Sequence, residues 1–256
     1  DNENVGDYIP LMYNREKELW MSQCDMVEAE KQAHVMKMDF LGLRTLNIIS
    51  DTIRAVYRNQ GVRIEMEKVP FEERVFDNIF SKGCTAGVFQ FESDGMRNML
   101  KQFKPKTIDE LILLVAVYRP GPLQYLKEIL SNKQGTTTPH YLVPQMKDIL
   151  DETCGKPVYQ EQIMMIAHKI AGFTMGEADV IRAAIAKKQL DKLAKYQDKF
   201  IGGLIKVGAS KAGAEEFWQE MQDFGRYAFN KSHACGYAHV AYYTAYLKEL
   251  YPTEFM

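Results

Sequence analysis

From about residue 70 onward, apolar residues recur at helical spacing almost without interruption, and this periodicity confines the chain to a mainly helical fold. Two capping boxes mark helix starts, Thr107 with Glu110 and Thr174 with Glu177. The first opens "TIDELILLVAVY", which stops at the rigid break "RPGP". "VYQEQIMMIAHKIAGF" carries Ile163, Ile166, Ala167 and Ile170 on one stripe, and Gly172 suits its C-terminal cap. Leu190, Leu193, Phe200 and Leu204 form the next stripe, followed by one of Ala214, Phe217, Trp218, Met221 and Phe224. The last helix, "AHVAYYTAYLKELY", is rich in aromatic residues. With 46% hydrophobic residues in 256, a sizeable core is within reach.

The beginning of the chain has a different character. Residues 1–33 hold eight acids against three basic residues and read as loop and short pieces. Residues 34–41, "HVMKMDFL", read as a strand with Lys37 and Asp39 on one face and Met36, Met38 and Phe40 on the other. Two opposite charges on one strand face suit either an exposed ion pair or a polar site. After Gly42, "LRTLNIISDTIRAVYRNQ" places Leu46, Ile49, Ile53 and Val56 at helical spacing and closes at Gly61. Residues 131–157 are rich in turns. The expectation is a small α/β start followed by mostly helix.

The formal net charge of −2 gives no global signal for nucleic acid or anionic membrane, so any such signal is local. Residues 182–206 supply one: seven basic residues face only Asp191 and Asp198. Such a cluster suits phosphate contact and equally suits a solvated helix face. Four widely spaced cysteines without a C-x-x-C point to a reduced, cytoplasmic setting. His233, Cys235 and His239 leave a zinc-binding module open, although their spacing matches no recognised zinc pattern. No run of 18 apolar residues suggests a membrane span, and the first residues lack the features of a signal peptide and read as mid-protein.

Several polar blocks interrupt the apolar pattern: "MKMDFLGLRTLN", "GVFQFES", "YRPGP", "VYQEQ", "IRAAIAKK" and "FNKSHACGYA". In this order they resemble the C-family of DNA polymerases, the bacterial replicative DNA polymerase III alpha subunit, over essentially the whole chain. The resemblance implies a mainly α fold. Residues 1–60 would be the C-terminal piece of a polymerase-beta-like nucleotidyltransferase palm, an α/β remnant, and residues 61–256 a helical fingers subdomain. It implies deoxynucleotidyl transfer to a primer 3′-hydroxyl with release of pyrophosphate. Two Mg²⁺ ions would be held by three acids, of which Asp39 matches the third. The other two belong to a D-x-D motif, and no two aspartates in this sequence stand two residues apart. The isolated chain is therefore expected to be inactive.

Lys37 matches a lysine that contacts the incoming triphosphate. Arg182 matches the first of two adjacent arginines, but the second is Ala183 here, and Ala186 replaces the usual glycine before Lys187 and Lys188. This departure moves a phosphate contact to Lys187 or Lys188, or weakens nucleotide binding. Arg119, Asn230, Lys231, Ser232 and His233 are further candidates for the phosphates. Gln160 and Gln162 suit template or base contacts or a polar helix face, and Glu92 and Arg97 suit a structural ion pair. Implied partners are primer–template DNA, deoxynucleoside triphosphates, the sliding clamp and other replisome subunits, with no membrane. The alternative reading is a non-catalytic helical module that binds DNA through the basic face of residues 182–206.

Overall fold

The computed structural model describes residues 4–36, 38, 42–119, 122–187, 189–225 and 228–256. It divides into two compact units, residues 1–44 and 45–256.

In the first unit, β1 (Leu11–Asn14) and β2 (Leu19–Ser22) pair antiparallel, with Tyr13 opposite Trp20 and Met12 opposite Met21. The Tyr13 and Trp20 rings meet edge to face at 5.4 Å. α1 (Met26–Lys31) starts where the Asp25 carboxylate accepts from the Glu28 N–H at 2.9 Å. Among the described residues of this unit only Ile9 is buried. Of the expected strand over residues 34–41, the described residues His34, Val35, Met36 and Met38 belong to no strand, and the rest lie outside the described residues. Among the described residues the sheet holds only β1 and β2, so these residues have no ladder partner. The Val35 N–H instead donates to the Ala29 carbonyl at 3.0 Å. Lys37 and Asp39 lie outside the described residues.

The second unit is helical and opens with α2 (Arg44–Gln60), which ends at Gly61 with a positive φ of 70°. α2 packs with the later helices, because Ile49 and Ile53 enter the core of the second unit. Next along the chain are α3 (Glu73–Val75), which runs into a π-helical turn at Phe76–Ser81, α4 (Asp94–Phe103) and α5 (Ile108–Val117). α5 is apolar nearly all round and buries Leu111, Ile112, Leu113, Leu114, Ala116 and Val117, as a central helix must. Then come α6 (Leu126–Lys133), α7 (Lys147–Leu150), α8 (Gln160–Lys169), α9 (Met175–Ala186), α10 (Leu190–Lys206), α11 (Lys211–Gly225), α12 (Lys231–Leu250) and α13 (Pro252–Phe255). α5 packs along α12, which offers it Ala234, Ala238, Ala241 and Ala245, all fully buried. Small side chains at this spacing let the two backbones approach closely.

Two apolar cores result. One joins α4, α5 and α12, and the other joins α7 to α11. In the second, Leu193, Phe200 and Leu204 of α10 are buried, as are Ala214, Phe217, Trp218 and Met221 of α11. α10 comes so close to the end of α8 that a Cβ on Gly203 would lie 2.3 Å from the Ala171 carbonyl oxygen. A short parallel bridge between Tyr159 and Phe229 ties the entry of α8 to the entry of α12. Its bonds are Gln160 N–H to Phe229 O at 3.0 Å and Phe229 N–H to Val158 O at 3.1 Å. No helix among the described residues is long and apolar enough to cross a membrane.

Candidate functional site

α5 ends at Tyr118, and the next residue is Arg119. The backbone there is held on both sides, by Arg119 N–H to Val117 O at 2.7 Å and Leu123 N–H to Arg119 O at 3.1 Å. The guanidinium lies 3.1 Å from the centroid of the Phe229 ring, a cation–π contact. Partial burial lowers the Arg119 pKa from its ordinary value, because desolvation penalises the charged form. An arginine stays charged even so.

Phe229 precedes α12, and the first turns of that helix continue the aromatic wall. Phe229 meets His233 edge-on at 5.2 Å, and His233 meets Tyr237, one turn further, at 4.1 Å. The opposite side is the loop before α4, where Phe89 lies 5.1 Å from Tyr237. Gln90, Tyr118, Arg119, Phe229, His233 and Tyr237 all line one pocket of about 500 Å³. Tyr118 leans on the start of α4 at a residue without a side chain: a Cβ on Gly95 would lie 2.0 Å from the Tyr118 hydroxyl. A cation, a polar amide and aromatic rings around one concavity suit a flat aromatic ligand that also carries negative charge. A larger cleft of about 900 Å³ lies elsewhere, but its lining includes Glu128, Glu216, Glu220 and Asp223, which disfavour phosphate.

Two other expected cations, Arg182 and Lys231, lie around the bridge between α8 and α12, and acids hold them. Arg182 pairs with Asp179 at 2.7 Å and donates to the Gln160 carbonyl at 3.2 Å. The Gln160 amide in turn donates to Ala228 O at 3.1 Å. The Lys231 ammonium pairs with Glu152 and sits 5.4 Å over the Tyr159 ring. The Lys231 backbone N–H donates to both oxygens of Glu161 at 3.1 Å, so a carboxylate rests at the positive end of α12. Asn230 caps the same helix by accepting from the His233 N–H at 2.9 Å. Ser232 and His233 are exposed on its first turn.

Gln162 does not face a ligand. It is 3% exposed, its carbonyl accepts from the Tyr159 N–H at 2.9 Å, and its amide donates to Ile149 O and Thr153 Oγ1, each at 2.9 Å. The Tyr159 bond caps α8 and the other two tie the side chain to residues 149 and 153, so Gln162 is buried and satisfied within the chain. Glu92 and Arg97 do not pair either. Glu92 accepts from the Gly87 N–H at 2.8 Å, and Arg97 reaches Asp94 at 3.7 Å. Lys187 is exposed at the end of α9, whereas Lys188 lies outside the described residues. On α10, Lys192, Lys195 and Lys206 are exposed, while Lys199 pairs with Glu177 at 2.6 Å. Together with Thr174, that lysine holds the Glu177 carboxyl down to about 2. The Cys235 thiol lies 3.6 Å from His239 Nδ1, and that nitrogen also lies 2.8 Å from the Cys235 carbonyl.

Sequence reasoning missed Gln90, Tyr118, Phe229 and Tyr237. The "GVFQFES", "YRPGP" and "FNKSHACGYA" blocks contain all four, but nothing in their spacing says which side chains converge. The acids Glu152, Glu161 and Asp179 were missed as well; Glu152 and Glu161 meet Lys231 across distant segments, whereas Asp179 pairs with Arg182 within α9.

Residues 45–208 match the family model described as the bacterial DNA polymerase III alpha subunit finger domain. The chain belongs to this family. The chain is also similar along nearly its whole length to curated relatives named DNA polymerase III subunit alpha. That of Aquifex aeolicus is 38% identical over 253 residues, covering 98% of this chain and 22% of the relative. That of Thermus aquaticus is 38% identical over 259 residues, covering 99% and 21%. That of Bacillus subtilis is 37% identical over 254 residues, covering 99% and 23%. The chain thus spans about a fifth of the length of these relatives.

Proposed function

We propose that this chain is the fingers, with an adjoining piece of palm, of a polymerase that extends a primer on a DNA template with deoxynucleoside triphosphates and releases pyrophosphate. The observation that carries this reading is the convergence of Arg119 and His233 with the rings of Phe229 and Tyr237 in one pocket. The rings suit the base of an incoming nucleotide, and the Arg119 guanidinium and the His233 ring N–H suit its phosphates.

In this reading Arg119 supplies a charge-assisted hydrogen bond to a phosphate oxygen, in a partly desolvated setting where such a bond is strong. His233 donates from the first turn of α12. Lys231 and Arg182 exchange Glu152 and Asp179 for phosphate when the nucleotide arrives, with Lys187, Lys188 and Lys37 as further phosphate contacts. Asn230 positions the helix start, and Ser232 donates beside it. Gln160 holds Arg182 in place.

Asp39 is the metal ligand proposed from this chain. Among the described residues no group of three or more His, Cys, Asp or Glu side chains is arranged to hold a metal ion, so those residues do not form a metal centre by themselves. Mg²⁺ bound in the complete polymerase would activate the primer hydroxyl and neutralise charge on the leaving group. Primer–template DNA, the sliding clamp and other replisome subunits are the proposed partners, and the cytoplasm the proposed location.

The test is Arg119→Ala in a full-length polymerase carrying this chain. Loss of a charge-assisted bond should lower kcat/KM for nucleotides about 10- to 100-fold, with primer–template affinity unchanged. Unaltered nucleotide kinetics together with weakened DNA binding would instead favour a DNA-binding module.

A further inference from the structure

We propose that Gln90 is a specificity-determining residue whose carboxamide donates a hydrogen bond to the minor-groove edge of the incoming base. This rests on the pocket being the nucleotide site.

Gln90 has a positive φ of 64°, in the left-handed region that glycine enters freely and other residues rarely adopt. The turn around it is held at several points. The Phe89 N–H donates to Thr244 Oγ1 of α12 at 3.2 Å, and the Phe91 N–H donates to Val88 O at 3.1 Å. Thr85 Oγ1 donates to the Phe91 carbonyl at 2.5 Å, and Glu92 accepts from the Gly87 N–H at 2.8 Å. Phe91 and Thr85 are fully buried, which anchors the turn in the core. The left-handed residue is therefore held from both sides, at a place where glycine would meet the backbone requirement alone. A side chain kept at such a position suggests a use for the side chain.

The chemistry of the pocket narrows that use. Arg119 and His233 already offer donors suited to phosphate, and the aromatic rings offer stacking surfaces. Gln90 is exposed and lines the same pocket. Its neutral amide suits a base edge better than a phosphate. Bidentate amide contacts in the major groove select adenine, which a polymerase copying all four bases cannot tolerate. The minor-groove acceptors, purine N3 and pyrimidine O2, recur in every base pair, so a single donor there checks pair geometry without choosing a base.

The experiment uses a full-length polymerase carrying this chain, with dATP and its 3-deaza analogue, which lacks the N3 acceptor, as probes. The unaltered enzyme should use dATP about 3- to 10-fold better than the analogue, as one net hydrogen bond allows. Gln90→Ala should lose that preference by losing efficiency with dATP. Gln90→Gly, which meets the backbone requirement without the amide, should behave like Gln90→Ala. Normal dATP efficiency and preference in Gln90→Gly would show that only the turn matters and would overturn the proposal. So would an undiminished preference in Gln90→Ala. If Gln90 variants are normal while Arg119→Ala loses nucleotide affinity, this inference fails and the proposed function stands.

Discussion

The Arg119 guanidinium rests 3.1 Å from the centroid of the Phe229 ring, so a residue at the end of α5 is aimed by a residue ahead of α12. The contact joins sequence segments more than a hundred residues apart and sets the cation against the aromatic wall. Replacing the ring with Phe229→Leu keeps apolar bulk and removes the π face. Cation–π contacts contribute about 0.5–2 kcal/mol. Nucleotide KM in a full-length polymerase should rise about 3- to 10-fold, and steady-state kinetics would read it. An unchanged KM would mean that the ring does not position Arg119.

Gly95 and Tyr118 form a second pair that shapes the same pocket. A Cβ at residue 95 would lie 2.0 Å from the Tyr118 hydroxyl and 3.1 Å from Cζ. Gly95→Ala must therefore displace the phenol, at a cost of about 1–3 kcal/mol. The double variant Gly95→Ala/Tyr118→Phe removes the closest atom and should recover much of the loss. Urea denaturation of the four proteins of this cycle would measure the coupling, and strictly additive effects would contradict the contact.

Adjacent glycines in α10 provide a test of helix packing. A Cβ on Gly203 would meet the Ala171 carbonyl oxygen at 2.3 Å, whereas one on Gly202 meets nothing within 4 Å. Gly203→Ala should destabilise the chain by about 1–3 kcal/mol. Gly202→Ala should be neutral or stabilise by up to about 1 kcal/mol through helix propensity. Thermal denaturation would separate the two, and equal effects would rule out the close approach.

The Glu177 carboxyl is held down to about 2 by Lys199 and the Thr174 cap. A carboxylate whose folded pKa is depressed contributes stability above its unfolded value, near 4.5. That contribution falls away as pH drops toward 2. Glu177→Gln should therefore be less stable than the original chain at pH 7, and the difference should shrink through the window from about 4.5 to 2. The side chain is only partly buried and within reach of solvent, so 1 M salt should also narrow the difference. A difference independent of pH would assign the effect to something other than charge.

Local signals in the sequence were read well where structure is local. The Thr174–Glu177 capping box forms in both directions, and Gly61 and Gly172 take the positive φ that closes α2 and comes just after α8. At Thr107 half of the box forms: the threonine accepts from the Glu110 N–H, while the Glu110 carboxylate takes the Lys106 N–H and Lys133. The β1–β2 hairpin was missed because its alternation is weak and both faces are largely exposed.

By itself the sequence determined the helical class, the capped starts of α5 and α9 and the family, because periodicity, caps and motif order all lie within short stretches of chain. Tertiary structure alone decided which polar residues meet. It turned Gln162 inward as a cap, paired Lys231 with Glu152, and set Gln90 beside Arg119. Those outcomes depend on how α5, α8 and α12 pack. A hydrogen bond or ion pair between distant residues forms only where packing has already brought their backbones together.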